Sequence, residues 1–506
     1  MSKSRMCLKT ACLLTICAMI AFAGETTSRE SGAKPIPKEF SGLRDRWESA
    51  MKDLLTPGMA VVVVKNDEVI YLDTFGERDP QKNLPVTPDT AFYIASATKP
   101  FNAMAILTLV DDGKIDLDAP VKQYLPRFDL PDREFAAKVT VRDLLCHRPG
   151  INAGPAVFLD AYTGEITEDR YYHFLASDAK IAGKTDYTNI HFTLIGRIIE
   201  AVSGKPWQEY LIDRILKPAG MNHTTPYATE MYARDDVAIP QQHNSDATFR
   251  PADTRKSDET MHAAGGLGTT AHDLGQWLRL NINRGVVDGK RIVSEKMMDE
   301  MLKMQSTSEP DGEIRVRKGF GLGWGRGTFR DHEYAFHGGG YIGAAAHTSF
   351  LVEDNVGVCV VANAGGPASA MVDAIVSIDV YDRLLGIEAD DLLPGYKTML
   401  ERRRPEYLAS QNPTQTPLTD ANLSQPQDAY VGTYTNEHWG TIRIARGAGT
   451  ITGNWGKLSA HFTPTTSTDA FTLTAGGDDF AGKFVLEGNR VVGLHFDEDN
   501  LRFEKR

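Results

Sequence analysis

Two strand-forming pairs stand at opposite ends of a long, mostly helical stretch, and this placement limits the chain to one sheet assembled from distant segments. Ala60-Val61-Val62-Val63-Val64, a polar turn at Lys65-Asn66-Asp67-Glu68, and Val69-Ile70-Tyr71-Leu72 read as a hairpin. Far downstream, Ala344 to Leu351 and Val356 to Ala362 flank the turn Glu353-Asp354-Asn355 and form a second pair. Between them the pattern is helical, as at Leu194 to Val202 and Asp273 to Asn283. Ahead of the first hairpin Leu43, Trp47, Met51, Leu54 and Leu55 also recur at helical spacing. The expected fold class is α+β, an antiparallel sheet flanked by helices.

The chain has 506 residues, enough for two or three domains. Its tail differs from the rest. After Leu392-Leu393-Pro394 the sequence turns polar, and Ser410 to Pro426 is rich in Pro, Thr, Gln and Asn, which marks residues 394–426 as a linker. Beyond it come short alternating runs such as Thr441-Ile442-Arg443-Ile444 and Lys483-Phe484-Val485-Leu486, separated by Gly and Asp turns. Residues 427–506 are therefore expected to form a small all-β domain, and residues 24–393 the main domain.

The first 23 residues read as a signal peptide. Lys3, Arg5 and Lys9 precede an apolar stretch from Thr10 to Phe22, and Ala21-Phe22-Ala23 gives a small-x-small cleavage pattern. The stretch is short for a membrane span, which needs roughly 20 residues. The expectation is export, to a periplasm or to the medium. Outside this segment the only cysteines are Cys146 and Cys359, which leaves open one disulfide or two buried thiols. No Cys/His cluster has zinc spacing, so neither metal nor cofactor is expected. A net charge of −12 argues against a nucleic-acid partner.

Three short elements carry chemistry. Ser96 and Lys99 stand three apart, so on one helix face the lysine amine reaches the serine oxygen. The same spacing occurs at Ser31/Lys34 and Ser177/Lys180, but only Ser96 precedes a helix that is apolar nearly all round, Phe101 to Val110. That burial would suppress the charge of Lys99 and favour a base, while the helix N-terminus would favour negative charge developing near Ser96. Tyr187-Thr188-Asn189 lies just before an amphipathic helix, placing a phenol and an amide on one side. The same triplet at Tyr434-Thr435-Asn436 is expected to serve only the β domain's fold. His337-Gly338-Gly339-Gly340 leads into the late strand pair, where glycines admit close backbone approach.

In this order the elements resemble the S-x-x-K, Y-x-N and K/H-x-G motifs of serine β-lactamases and penicillin-binding proteins, in their class C-like branch of peptidases, esterases and D-amino-acid hydrolases. Thr140 to Gly150, Leu216 to Met221 and Ala263 to Leu274 resemble further blocks of that family, and the likeness runs roughly from Gly58 to Gly365. It implies a β-lactamase-like fold with an appended β domain. It implies Ser96 as the acylated nucleophile, Lys99 as its proton acceptor and Tyr187 as the proton shuttle. Asn189 would bind a substrate amide and His337 would replace the third-motif lysine. Gly339 and Gly340 would lie along the substrate, with the Ser96 and Gly340 N–H groups as the oxyanion hole. Pro149 and Gly338 depart from the family pattern; Gly338 offers no hydroxyl to a substrate carboxylate. The implied activity is an exported serine hydrolase cleaving an amide or ester of a small molecule or peptide, peptidoglycan-derived material and β-lactams included. The alternative is a catalytically weak binder of such molecules.

Overall fold

The computed structural model describes residues 37–506, apart from 389–390, 412–415, 417, 448–449, 477 and 498–499. The proposed signal peptide lies outside the described residues. Three strands open the main sheet, β1 (Gly58–Lys65), β2 (Glu68–Asp79) and β3 (Leu84–Pro85). Six more follow late in the chain: β4 (Ser306–Asp311), β5 (Arg315–Phe320), β6 (Gly325–Phe329), β7 (His332–Tyr341), β8 (Ala344–Leu351) and β9 (Val356–Ala362). The sheet order is β4-β5-β6-β7-β8-β9-β1-β2-β3, antiparallel throughout. The early and late hairpins meet at its centre, with Val62 opposite Cys359 and Val64 opposite Gly357.

Both faces of this centre are covered, which is why β1 is almost continuously apolar instead of alternating. Ala60, Val62 and Val64 pack with helices α2 (Lys99–Asp111), α3 (Asn189–Ser203) and α4 (Ala271–Ile282). Met59, Val61 and Val63 pack on the opposite side against α1 (Leu43–Asp53) and α5 (Pro367–Leu385). Helix α2 is buried from Lys99 to Leu109, so its all-round apolar sequence fits a central position. Cys146 and Cys359 are buried free thiols.

The stretch 394–426 departs from a plain linker. Leu393–Gln411 forms helix α6, with Pro405 in its interior. Leu400 and Tyr407 are buried against the α1/α5 side, and the Tyr407 hydroxyl lies 3.1 Å from His243 Nδ1. Two anchoring side chains stabilise a helix whose composition otherwise reads as breaking one.

Eight strands between Gly432 and Lys505 close into an antiparallel barrel, the first pairing with the last through Tyr434 and Lys505. Closure removes exposed edges. Tyr430, Tyr434, Trp455, Phe471, Phe496 and Phe503 fill it. As expected, Tyr434 serves only the fold: it is fully buried and donates to the Tyr430 carbonyl at 2.6 Å.

The barrel docks on a segment of the main domain running from Gly154 to Asp178. Phe158 meets Trp455 edge-on at 4.9 Å, and the Thr441 N–H donates to the Glu165 carboxylate at 2.6 Å. The Lys457 N–H donates to the Thr163 carbonyl, and Arg170 to the Glu437 carbonyl. His173 and His438 stack at 3.7 Å. No helix among the described residues is long and apolar enough to cross a membrane.

Candidate active site

Ser96 does not sit in the α-helix itself. It occupies a single 3-10 turn, Ala95–Thr98, and α2 starts at Lys99 with Pro100 tolerated in its first turn. The residue before the serine, Ala95, has φ of +46°, a left-handed conformation rare outside glycine. Such strain costs of order 1–3 kcal/mol and persists where the surroundings over-determine it. Here the Ile94 N–H is held by the Leu267 carbonyl, and Tyr93 pairs with Gly268. The strained turn lifts the Ser96 side chain to a half-buried position while Lys99, one turn on, is fully enclosed.

Lys99 Nζ has three polar neighbours: Ser96 Oγ at 3.0 Å, Asn189 Oδ1 at 2.8 Å and the Ala264 carbonyl at 2.7 Å. Burial holds its pKa well below that of a free lysine, and no carboxylate offsets the effect. A neutral amine has two N–H bonds and one lone pair. In the neutral form, hydrogens given to Asn189 Oδ1 and the Ala264 carbonyl would leave the lone pair facing the Ser96 hydroxyl. This arrangement can take a proton from serine.

Tyr187 stands over the amine, its ring centre 4.8 Å from Lys99 Nζ and 5.9 Å from the His337 ring. The residue is 37% exposed, so the ring forms the rim of the site. Burial at its hydroxyl raises the phenol pKa, and a hydrogen bond with Ser96 works in the opposite direction. Asn189 opens α3, which turns its amide back toward Lys99.

His337 lies on β7, buried, with Nδ1 2.7 Å from the Gly338 carbonyl. A carbonyl only accepts, so Nδ1 carries the hydrogen. Burial, reinforced by the nearby Lys99, pushes the pKa down to about 3, which leaves the ring neutral with a lone pair on Nε2. The position therefore offers an acceptor and no fixed positive charge. Gly339 presses on the nucleophile turn: a Cβ there would come 2.0 Å from the Ile94 carbonyl oxygen. The close backbone approach read from this glycine run is thus made by the protein's own chain. Gly340 is exposed, with open space on its Cβ side.

Behind Tyr187 lies a histidine pair that motif reading did not place in the site. The Ile151 N–H donates to His191 Nε2 at 3.1 Å, so His191 bears its hydrogen on Nδ1 and donates to His147 Nδ1 at 2.9 Å. Both rings are buried and held neutral. His147, itself at φ of +57°, backs the Tyr187 ring at 4.7 Å. Its sequence signal was its place in the Thr140 to Gly150 block that resembles the family, after the capped helix Val141–Leu145. The block around Ala263 serves the nucleophile helix through carbonyls, Ala263 to Asn102 and Ala264 to Lys99. No side-chain pattern announces a carbonyl.

Ser177, with the same serine–lysine spacing, bonds His173 and Asp178 on an exposed helix end, and Ser31 lies outside the described residues. No group of three or more His, Cys, Asp or Glu among the described residues could hold a metal ion.

A serine beside a buried lysine whose charged form burial disfavours, next to an antiparallel sheet, is an arrangement suited to a serine hydrolase. A family model described as Beta-lactamase matches residues 43–382. The chain belongs to that family of serine hydrolases. It is similar to the putative penicillin-binding protein PbpX of Bacillus subtilis (strain 168), 29% identical over 51% of this chain and 61% of that one. Its fold resembles the octameric penicillin-binding protein homologue from Pyrococcus abyssi, with TM-score 0.58, 23% identity, and coverage of 92% and 99%. It also resembles D-amino acid amidase from Ochrobactrum anthropi SV3, with TM-score 0.54, 25% identity, and coverage of 68% and 98%. The chain spans about three fifths of the length of the curated relatives it matches, 59% and 61% for two of them.

Proposed function

We propose that the protein is an exported hydrolase that cleaves an amide or ester through an acyl-enzyme at Ser96. Ser96 Oγ attacks the substrate carbonyl carbon and its proton passes to the Lys99 lone pair. The resulting oxyanion is held by the Ser96 and Gly340 N–H groups, a contribution worth about 10²–10³ in rate in other hydrolases. The intermediate collapses as the leaving amine or alkoxide takes a proton relayed through Tyr187. Water then attacks the acyl-enzyme, and Ser96 regains its proton. Asn189 and the neutral His337 position substrate polar groups.

The observation that carries this reading is the placement of Lys99, a fully buried amine whose charged form burial disfavours, 3.0 Å from Ser96 Oγ and held by Asn189 Oδ1 and the Ala264 carbonyl. Export is supported by the basic and apolar pattern of residues 1–23. Selectivity follows from the third motif. With an uncharged His337 and no hydroxyl at Gly338, the site has no fixed cation there for a β-lactam carboxylate, so esters and D-amino-acid amides or peptides are favoured over β-lactams.

A panel of nitrocefin, a p-nitrophenyl ester and D-amino-acid peptides tests this with wild type and Ser96→Ala. The expected result is ester or D-amide turnover that Ser96→Ala abolishes, with nitrocefin the poorest substrate. Tight, reversible muropeptide binding without turnover of any member would replace this reading with that of a binding protein.

A further inference from the structure

The short loop that carries Tyr187 is held by a residue that takes no part in the chemistry above. His147 meets this loop at three points. The Asp186 N–H donates to the His147 carbonyl at 3.1 Å. The Thr188 N–H donates to His147 Nδ1 at 3.5 Å, the far limit of a hydrogen bond. Between these two anchors the His147 ring lies 4.7 Å from the Tyr187 ring, tilted by 44°. The residues on either side of the phenol, and the phenol itself, share one support. Without it little else would fix a side chain that is 37% exposed.

The support is itself fixed in orientation. His147 Nδ1 accepts from His191 Nδ1 at 2.9 Å, so the lone pair that Thr188 shares has its direction set from outside the loop. His191 is set in turn by the Ile151 N–H, a main-chain group that can only donate and so obliges Nε2 to accept. The Thr188 hydroxyl closes the circuit by donating to the Ile151 carbonyl at 2.7 Å. The rings of Phe320 and Phe192 stand 5.1 and 5.5 Å from His147 on its other sides. Burial keeps the His147 ring neutral, which preserves the acceptor at Nδ1. His147 also holds a φ of +57°, a strained conformation that persists only where the surroundings over-determine it. Strain of this kind at the base of a catalytic loop calls for a use.

We infer that His147 is a positioning residue: it holds Tyr187 where the phenol delivers a proton to the leaving group, and it acts on the reaction only through Tyr187. The inference rests on the acyl-enzyme reading, in which Tyr187 relays that proton. The consequence is selective. An alkoxide or an amide anion leaves well only if a new O–H or N–H bond forms as its bond to the acyl carbon breaks. That proton is the one Ser96 gave up, returned by way of Tyr187. A p-nitrophenoxide departs with the bonding electron pair and needs no proton, so a misplaced phenol matters little to it. Lys99 keeps its contacts with Ser96, Asn189 and Ala264, none of which comes from His147.

The test compares ethyl butyrate with p-nitrophenyl butyrate, which form the same acyl-enzyme, through kcat/KM. Two variants are used. His147→Asn tolerates the left-handed backbone and removes the ring, whereas His147→Phe keeps a ring and removes the acceptor. Each is expected to lower kcat/KM for the ethyl ester by about 10–100-fold, within the loss that a misplacement of roughly 1 Å brings. The p-nitrophenyl ester, and the rate of Ser96 labelling by a fluorophosphonate, should change by no more than about threefold, since neither leaving group needs the phenol's proton. In a Tyr187→Phe background, His147→Asn should add no further loss on the ethyl ester, because the two residues act as a unit. Equal losses on the two esters, a further loss in the Tyr187→Phe background, or an ethyl ester rate that neither variant changes overturns the inference and leaves His147 to the fold alone. A wild type that does not label at Ser96, or an ethyl ester rate that survives Tyr187→Phe, instead defeats the underlying catalytic reading.

Discussion

Lys99 and Lys256 are 0% and 5% exposed, and both give their amines to main-chain carbonyls beside tyrosine rings. Their surroundings differ in one respect. Among the described residues nothing acidic faces Lys99, and desolvation drives its pKa well down. Lys256 has Asp160 within electrostatic reach, and its pKa settles at about 7. Lys99 also has Ser96 as a third partner, whereas the remaining neighbour of Lys256 is the face of Tyr341. On the proposed mechanism the same residue type at the same depth is thus a proton acceptor in one place and a structural cation titrating at about 7 in the other. Burial sets how strongly charge is disfavoured; the nearest acid and the third partner decide what the amine does.

The largest effect expected from this contrast is kinetic. Lys99→Met should lower both kcat/KM and the rate of Ser96 labelling by about 10²–10⁴, the range for removing a positioned base. Lys256→Met should lower labelling by less than about tenfold. Similar losses in the two variants would erase the distinction.

A smaller effect separates them in stability. Lys256 titrates at about 7 when folded and near 10.5 when free, so between these values the unfolded chain binds more protons. Stability then rises with pH through that window, and below pH 7 the full penalty of burying the charge remains. Lys256→Met should flatten the rise in Tm between pH 7 and pH 10 relative to wild type, while Lys99 contributes a rise of the same sign to both proteins. An unchanged slope would show that Lys256 does not titrate in this range.

The two regions also differ in how far the sequence disclosed them. Ser96 and Lys99 are neighbours along one turn, and the apolar helix behind them is continuous in sequence, so local spacing and burial could be read together. Tyr187 and Asn189 were legible because a loop before an amphipathic helix has few orientations. The surroundings of Lys256 draw Asp160, Ala161 and Tyr341 from segments that only packing brings together with it, and no spacing rule links them. The 3-10 turn at Ser96 was read as helix because the positive φ of Ala95 depends on contacts with Leu267 and Gly339. In the same way Leu400 and Tyr407 stabilise a helix, Leu393–Gln411, where a polar composition leading into the Pro-, Thr-, Gln- and Asn-rich stretch from Ser410 to Pro426 suggested a linker. In the barrel, strands such as Ile451–Trp455 and Leu501–Lys505 are short and partly polar, and closure supplies the stability that their own pattern does not announce.

The central claim is that Ser96 is acylated because Lys99 is uncharged and aimed at it. Intact-mass measurement during turnover of a p-nitrophenyl ester, followed by peptide mapping, tests this most directly. The account predicts a single acyl adduct on the peptide containing Ser96, absent from Ser96→Ala and slow to form in Lys99→Met. An adduct of the same yield in Ser96→Ala, or ester turnover undiminished by that substitution, would contradict it.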